Sequence, residues 1–204
     1  INKLLPLFFS MDIIFDIETA PLEFGQRMIK DEETGEEIDI GALSPITGRI
    51  TAVGWKSGEH QHIFSDTDEK KMLDQFWRSM EEVVGQRGFI RLVGYSIKKF
   101  DIHFLLVRSL HHHVKIARAN LRQALDLREH LTNFDSYKKK GKLEDYAKLI
   151  GVEGKYKNIK NEEIPLLWKE GKIDDLKEYL KHDLRITEQL YLKCRELGIL
   201  GDYS

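Results

Sequence analysis

Apolar and polar positions recur along the chain with two different periods. Met11-Asp12-Ile13-Ile14-Phe15-Asp16-Ile17-Glu18 is rich in β-branched and aromatic residues and predicts a strand running into the centre of a sheet. Residues 49–55 and 61–65 predict two further strands, with Ser57-Gly58-Glu59 as the turn between them. Asp66-Thr67-Asp68-Glu69 supplies a capping residue and first-turn acids, and Met72, Leu73, Phe76, Trp77 and Met80 then share one helical face. A strand over 89–95, a helix from 100 or 101 through 110 and a short strand at 125–127 follow. Beyond residue 143 the period is helical, over 143–150, 161–169 and 174–197, with Gly151 and Gly198 as stops. Three early strands in meander order, then strands alternating with helices, predict an α/β fold with a mixed central sheet flanked by helices. The acidic stretch Lys30-Asp31-Glu32-Glu33-Thr34-Gly35-Glu36-Glu37 predicts an exposed loop with a helical start.

Composition narrows the class more than the function. With 204 residues, no internal repeat and no low-complexity linker, a single domain over 11–204 is expected, with residues 1–10 as an appendage or strand extension. The run Leu4-Leu5-Pro6-Leu7-Phe8-Phe9 is too short to span a membrane and is interrupted by Pro6. It also lacks a small-residue cleavage site. Hydrophobic residues make up 41% and charged residues 32%, which implies a buried core under a well-solvated surface and argues against disorder. The net charge of −2 does not exclude nucleic acid, because phosphate is neutralised locally. The single cysteine, Cys194, leaves no intramolecular disulfide and no cysteine zinc site, so an intracellular, cytoplasmic protein without membrane association is expected.

Candidate chemistry lies in the acids. Asp16 and Glu18 are two apart on a strand, so both carboxylates leave the same face of the sheet. Burying two like charges there is costly without a compensating cation, and an all-oxygen donor set suits Mg²⁺ or Mn²⁺. A strand exit reaching water before Pro21 accounts for the pair equally well. Asp101 opens a helix, where an acid is also an ordinary N-terminal residue. Asp183 lies well inside the last helix, one turn after Tyr179 on the same face.

The segment Phe15-Asp16-Ile17-Glu18-Thr19-Ala20-Pro21 resembles the first exonuclease motif of the DEDD superfamily. Gly94-Tyr95-Ser96-Ile97-Lys98-Lys99-Phe100-Asp101 resembles the second, and Tyr179-Leu180-Lys181-His182-Asp183 is similar to the third in its tyrosine form. The three occur in the family's order. The nearest resemblance is to stand-alone relatives of the exonuclease domain of family B DNA polymerases, and Lys142-Leu143-Glu144-Asp145-Tyr146-Ala147-Lys148-Leu149-Ile150-Gly151 and Lys169-Glu170-Gly171-Lys172-Ile173-Asp174-Asp175-Leu176 are similar to further family stretches. One departure is Ser96, where the family commonly has Asn. A histidine-type relative would carry His at the position of Glu178; His182, adjacent to Asp183, points elsewhere on the helix and is expected at the surface or behind the site.

The resemblance implies a ribonuclease H-like fold and a two-metal 3′–5′ exonuclease using two Mg²⁺ or Mn²⁺ ions and releasing nucleoside monophosphates. Asp16 would bridge the ions, Glu18 and Asp183 would hold the one that activates water, and Asp101 would complete the other side. Tyr179 would orient the water. Thr19, Ala20, Ser96 and Phe100 would contact the substrate, nucleic acid with a free 3′ end, single-stranded DNA favoured. A nucleic-acid-binding module and a ribonuclease H-like endonuclease are the alternatives on the same fold. Lys98 and Lys99 sit in the second motif's turn, whereas Lys138-Lys139-Lys140 and Lys142 read as a solvated loop before a helix. His111-His112-His113 reads as a solvent-facing helix end rather than a metal site, and Trp55, Phe76 and Trp77 read as core.

Overall fold

Strand β1 (Met11–Pro21) is the centre around which the rest of the chain assembles. The computed structural model describes residues 11–30, 37–87, 90–135, 141–152, 156–157 and 159–201. After β1 come a small antiparallel ribbon, β2 (Met28–Lys30) and β3 (Glu37–Asp39), a 3₁₀ turn at Ile40–Leu43, and the hairpin β4 (Gly48–Ser57) and β5 (His60–Phe64). Helix α1 (Glu69–Arg87), β6 (Ile90–Gly94), α2 (Asp101–His111), the two-residue β7 (Leu125–Asp126) and α3 (Leu127–Leu131) follow. The chain then continues through α4 (Leu143–Leu149), α5 (Ile164–Lys169) and the long α6 (Ile173–Glu196). The five-stranded sheet has the order β5-β4-β1-β6-β7. β1 pairs antiparallel with β4 and parallel with β6, so the mixed sheet expected from the pattern is present.

Alternation along β1 divides its side chains between two cores. Ile13, Phe15 and Ile17 pack with Phe76, Trp77 and Leu105 of α1 and α2. Ile14 packs with Leu180, Leu184 and Tyr191 of α6. Asp16 and Glu18 share the parity of Ile14 and therefore face α6. Asp16 pairs across the sheet with Gly54, where a Cβ would lie 2.9 Å from Leu184 Cδ1, so the glycine lets α6 approach the strand. The β1–β4 register shifts between Glu18 and Thr19, leaving Thr51 as the extra residue of a bulge. A bulge bends the strand locally and re-aims the side chains beyond it.

Two polar devices hold these layers. Arg91 donates to both carboxylate oxygens of Asp12 at 2.7 Å, and the Tyr191 hydroxyl donates to the same carboxylate, tying β1, β6 and α6 together. Burial, then Asp12, push the Tyr191 phenol up to about 12. Glu69, 3% exposed, accepts from Arg108 Nε at 3.0 Å and NH2 at 2.7 Å, from the Ile50 amide at 2.7 Å, and lies 2.9 Å from His112 Nε2. Arg108 also donates to the Pro45 carbonyl, so one buried ion pair joins α1, α2, β4 and the loop before it. At Gly94, a Cβ would meet Ile97 Cγ2 at 2.2 Å and the Phe15 carbonyl oxygen at 2.7 Å. Because that oxygen belongs to the central strand, Gly94→Ala is expected to cost about 1–3 kcal/mol, read as a lower urea midpoint at unchanged slope.

Several expectations change on contact with the structure. Leu127 opens a helix rather than ending a strand, and β1 runs on to Pro21. The ribbon β2–β3, three residues a strand, was too short for its pattern to announce it. Residues 31–36 of the acidic stretch lie outside the described residues, as do 1–10 and Lys138-Lys139-Lys140. His111 and His113 are exposed as expected, but His112 is half-buried against Glu69. Trp55, Phe76, Trp77 and Cys194 are buried. No helix among the described residues is long and apolar enough to cross a membrane.

Candidate metal centre

The face of β1 that carries Asp16 and Glu18 meets the face of α6 that carries Tyr179 and Asp183. One carboxylate oxygen from each of Asp16, Glu18 and Asp183 lies within 4.8 Å of the other two. Asp101, 3% exposed at the first position of α2, turns toward β1. It accepts the Ile17 amide at 3.2 Å and its carboxyl hydrogen-bonds Asp16. Its sequence position allowed a helix-capping role, but the side chain instead joins the strand. Tyr179 is buried and donates to Asp183.

Four carboxyls brought together this way do not tolerate full ionisation on their own. Burial raises Asp16 to about 6 against the hydrogen bonds from Asp101 and the Ile17 amide, which lower it. Glu18 is held well above the carboxylate range by burial, then by Asp16, Asp183 and Asp101. Asp101 is raised by burial and then by Asp16, while Asp183 is raised by burial and Asp16 against the Tyr179 hydrogen bond. Among the described residues no Lys or Arg forms an ion pair with any of the four. An all-oxygen donor set, half-buried and without a basic partner among the described residues, fits hard divalent ions, which accept carboxylates and retain waters. The carboxylates of Asp16, Glu18 and Asp183 could hold such an ion directly, with Asp101 behind Asp16.

The remaining expected contact residues spread over the same end of the sheet. Ala20 is fully buried, and the Thr19 hydroxyl donates to the Ala42 carbonyl at 2.9 Å. Phe100 is half-buried with its ring 4.9 Å from that of Phe104. Ser96 sits at φ 65° and accepts a hydrogen bond from Arg128 at 2.8 Å. The left-handed conformation is one that Asn adopts more readily than Ser. Glu178 is exposed and pairs with Lys181. His182 is half-buried beside Arg185 and Tyr156, lining a separate cavity of about 300 Å³ along α6 and the β4–β5 hairpin.

Two neighbours were not singled out from sequence. Glu144 of α4 lies near enough for its charge to raise both Tyr179 and Asp183. Arg49, paired with Ala20 on the adjacent strand, stacks 5.1 Å from the Trp168 ring. Glu144 belongs to a helix far from either partner in sequence. Arg49 falls in an apolar strand where a lone cation was a faint signal.

Residues 115–199 match the model of a family described as predicted 3′-5′ exonuclease related to the exonuclease domain of PolB. That stretch contains Tyr179 and Asp183, whereas Asp16, Glu18 and Asp101 precede it. An uncharacterized protein of Methanocaldococcus jannaschii, MJ0365, is 33% identical over 175 residues, covering 81% of this chain and 97% of that protein. Among solved structures, the family B DNA polymerase of the hyperthermophilic archaeon Pyrobaculum calidifontis aligns with a TM-score of 0.63 at 18% identity. The alignment covers 92% of this chain and 25% of the polymerase, so the chain spans about a quarter of that protein's length. At such identity the likeness shows the fold, a ribonuclease H-like mixed sheet with flanking helices. The chain and the M. jannaschii protein belong to one family, and residues 115–199 of the chain match the model of predicted 3′–5′ exonucleases related to the exonuclease domain of PolB.

Proposed function

We propose that this chain is a metal-dependent 3′–5′ exonuclease of the tyrosine type, removing nucleoside monophosphates from the 3′ end of a single strand, with DNA favoured. The observation that carries this reading is the meeting of Asp16, Glu18 and Asp183 within 4.8 Å of one another beside Tyr179. Asp16, Glu18 and Asp183, with Asp101 supporting Asp16, are assigned to hold two Mg²⁺ or Mn²⁺ ions. Such ions, when bound, neutralise the scissile phosphate and lower the pKa of the attacking water.

The chain's own groups set the geometry. Burial first, then the charges of Asp183, Glu18 and Asp16, hold the Tyr179 phenol well above its ordinary range. It therefore stays protonated at neutral pH, and its role is to fix the attacking water by hydrogen bonding, not to take its proton. The buried Thr19 and Ala20 form a rigid floor under the terminal nucleotide, and Phe100 and Ser96 border it from the second motif's turn.

Tyr179→Phe is expected to lower kcat about 10–100-fold, the worth of one hydrogen bond in a charged setting, while the Mn²⁺ dependence of the rate keeps its midpoint. A large shift of that midpoint would instead make the phenol part of the metal-holding set. The broader reading is tested with 3′-labelled DNA and RNA strands in Mg²⁺, Mn²⁺ or EDTA. Labelled mononucleotide as the first product, abolished by EDTA, is expected; strands bound but left whole would support a binding module instead.

A further inference from the structure

A second feature lies on the same edge of the sheet. β1, β6 and β7 run parallel, with Ile14, Val93 and Leu125 in one row, so the segments leaving β6 and β7 emerge beside the acids. β7 is two strands from β1, roughly 10 Å at the usual strand spacing, the reach of a nucleotide or two. There a cavity of about 60 Å³ is walled by Ser96, Lys99, Arg128, Thr132 and Phe134, together with three acids. All three acids have partners of their own. Asp126 accepts the amides of Ser96, Lys98 and Arg128 at 2.9, 3.2 and 3.0 Å, and Glu129 pairs with Lys98 at 2.7 Å; the third is Asp135.

Arg128 is anchored but not used up. Its NH1 donates to Ser96 Oγ, yet its buried Nε has no acceptor among the described residues. A guanidinium recognises phosphate by presenting parallel N–H groups, and a buried one left unmatched is costly unless a ligand completes it. Phe134 stands at the rim, 63% exposed and at φ 58°, a conformation a bulky residue seldom adopts. Its ring is braced edge-on by His130 at 5.0 Å. The cavity has room for a phosphoryl group but not for a base, so a base belonging to that phosphate would lie outside, on the ring.

We propose that Arg128, seated on Ser96, and Phe134 form a subsite for the strand upstream of the scissile phosphate, the guanidinium taking a phosphate oxygen and the ring stacking a base. This rests on the nuclease reading, and the substrate pair that tests it separates the two. Thymidine 5′-monophosphate p-nitrophenyl ester occupies only the terminal-nucleotide position; a short homothymidine strand also needs the upstream one. With Mn²⁺, Phe134→Ala and Arg128→Met are each expected to lower kcat/KM on the strand about tenfold through KM, while turnover of the ester changes less than twofold. Phe134→Trp is expected to restore the strand value. Loss on both substrates together, or on neither, would overturn the subsite; because Phe134 is exposed, misfolding does not cloud that variant. If the wild type turned over neither substrate, the nuclease reading would fall. Fluorescence anisotropy of a labelled strand would then decide the subsite alone, a tenfold weakening by Phe134→Ala supporting it and unchanged binding overturning it.

Discussion

Asp16→Asn is expected to abolish divalent-ion-dependent hydrolysis and, at the same time, to make the metal-free protein more stable. The activity loss should be on the order of 10³-fold or more, the scale set by removing one preorganised charged group from a reaction centre. Asparagine keeps the shape of the side chain but surrenders the charge that the ion requires. The stability gain follows from the sign of the shift. Asp16 titrates at about 6 in the folded chain against an ordinary 3.8, so its favourable contribution is present below 3.8 and is lost as pH rises through about 6. At pH 7.5 the ionised group therefore costs the fold on the order of 1–3 kcal/mol, which asparagine removes. For a chain of this size each kcal/mol moves the midpoint about 2–4 °C. Thermal melts in EDTA should place the variant above the wild type, and added Mg²⁺ should raise the wild type alone. An Asp16→Asn protein that melts lower in EDTA, or gains as much from Mg²⁺, would contradict this assignment.

Glu69→Ala is the substitution expected to damage the fold most. It strands Arg108, 4% exposed, without its bidentate partner and leaves the Ile50 amide unmatched. Breaking one side of a buried pair costs about 3–5 kcal/mol, whereas replacing both sides is far milder. The double variant Glu69→Met with Arg108→Met should therefore recover much of the loss, measured by urea unfolding. Burial pushes the Glu69 carboxyl up, but the hydrogen bonds of Arg108, His112 and the Ile50 amide, with the Arg108 charge, bring it below its ordinary 4.5. Its stabilisation is complete above 4.5 and disappears as pH falls through the lowered value, so this network contributes to acid unfolding. A Glu69→Ala protein with an unchanged urea midpoint at pH 7 would show that the pair is not holding α1 to α2.

What could be read before folding was the part governed by local periodicity. The two-residue spacing of Asp16 and Glu18 put them on one face of a strand, and the four-residue spacing of Tyr179 and Asp183 put them on one face of a helix. That those two faces meet depends on Gly54 and on the packing of Leu184 over it, contacts between residues more than a hundred positions apart. Asp101 was ambiguous because an acid at a helix start satisfies two demands at once, and only its position against Asp16 separates them. Glu69 read as an ordinary first-turn acid and His112 as part of a solvent-facing helix end, and Arg108 carried no signal of its own, since their partnership crosses helices. Arg128 was invisible for the same reason: its value comes from Ser96, thirty-two residues earlier. The ribbon of Met28–Lys30 and Glu37–Asp39 has only three residues a strand, and Met28–Lys30 is exposed, so its pairing leaves too short a pattern to read.

The central claim concerns a strand shortened from its 3′ end by a metal-dependent site built on Asp16, Glu18 and Asp183. The most direct measurement incubates the wild-type chain and Asp16→Asn with Mn²⁺, a 5′-labelled linear strand and a covalently closed circle of the same sequence. The account predicts a ladder descending one nucleotide at a time from the linear strand, an intact circle, and neither product with the variant or EDTA. Nicking of the circle, or a linear strand left whole by the wild type, would contradict it.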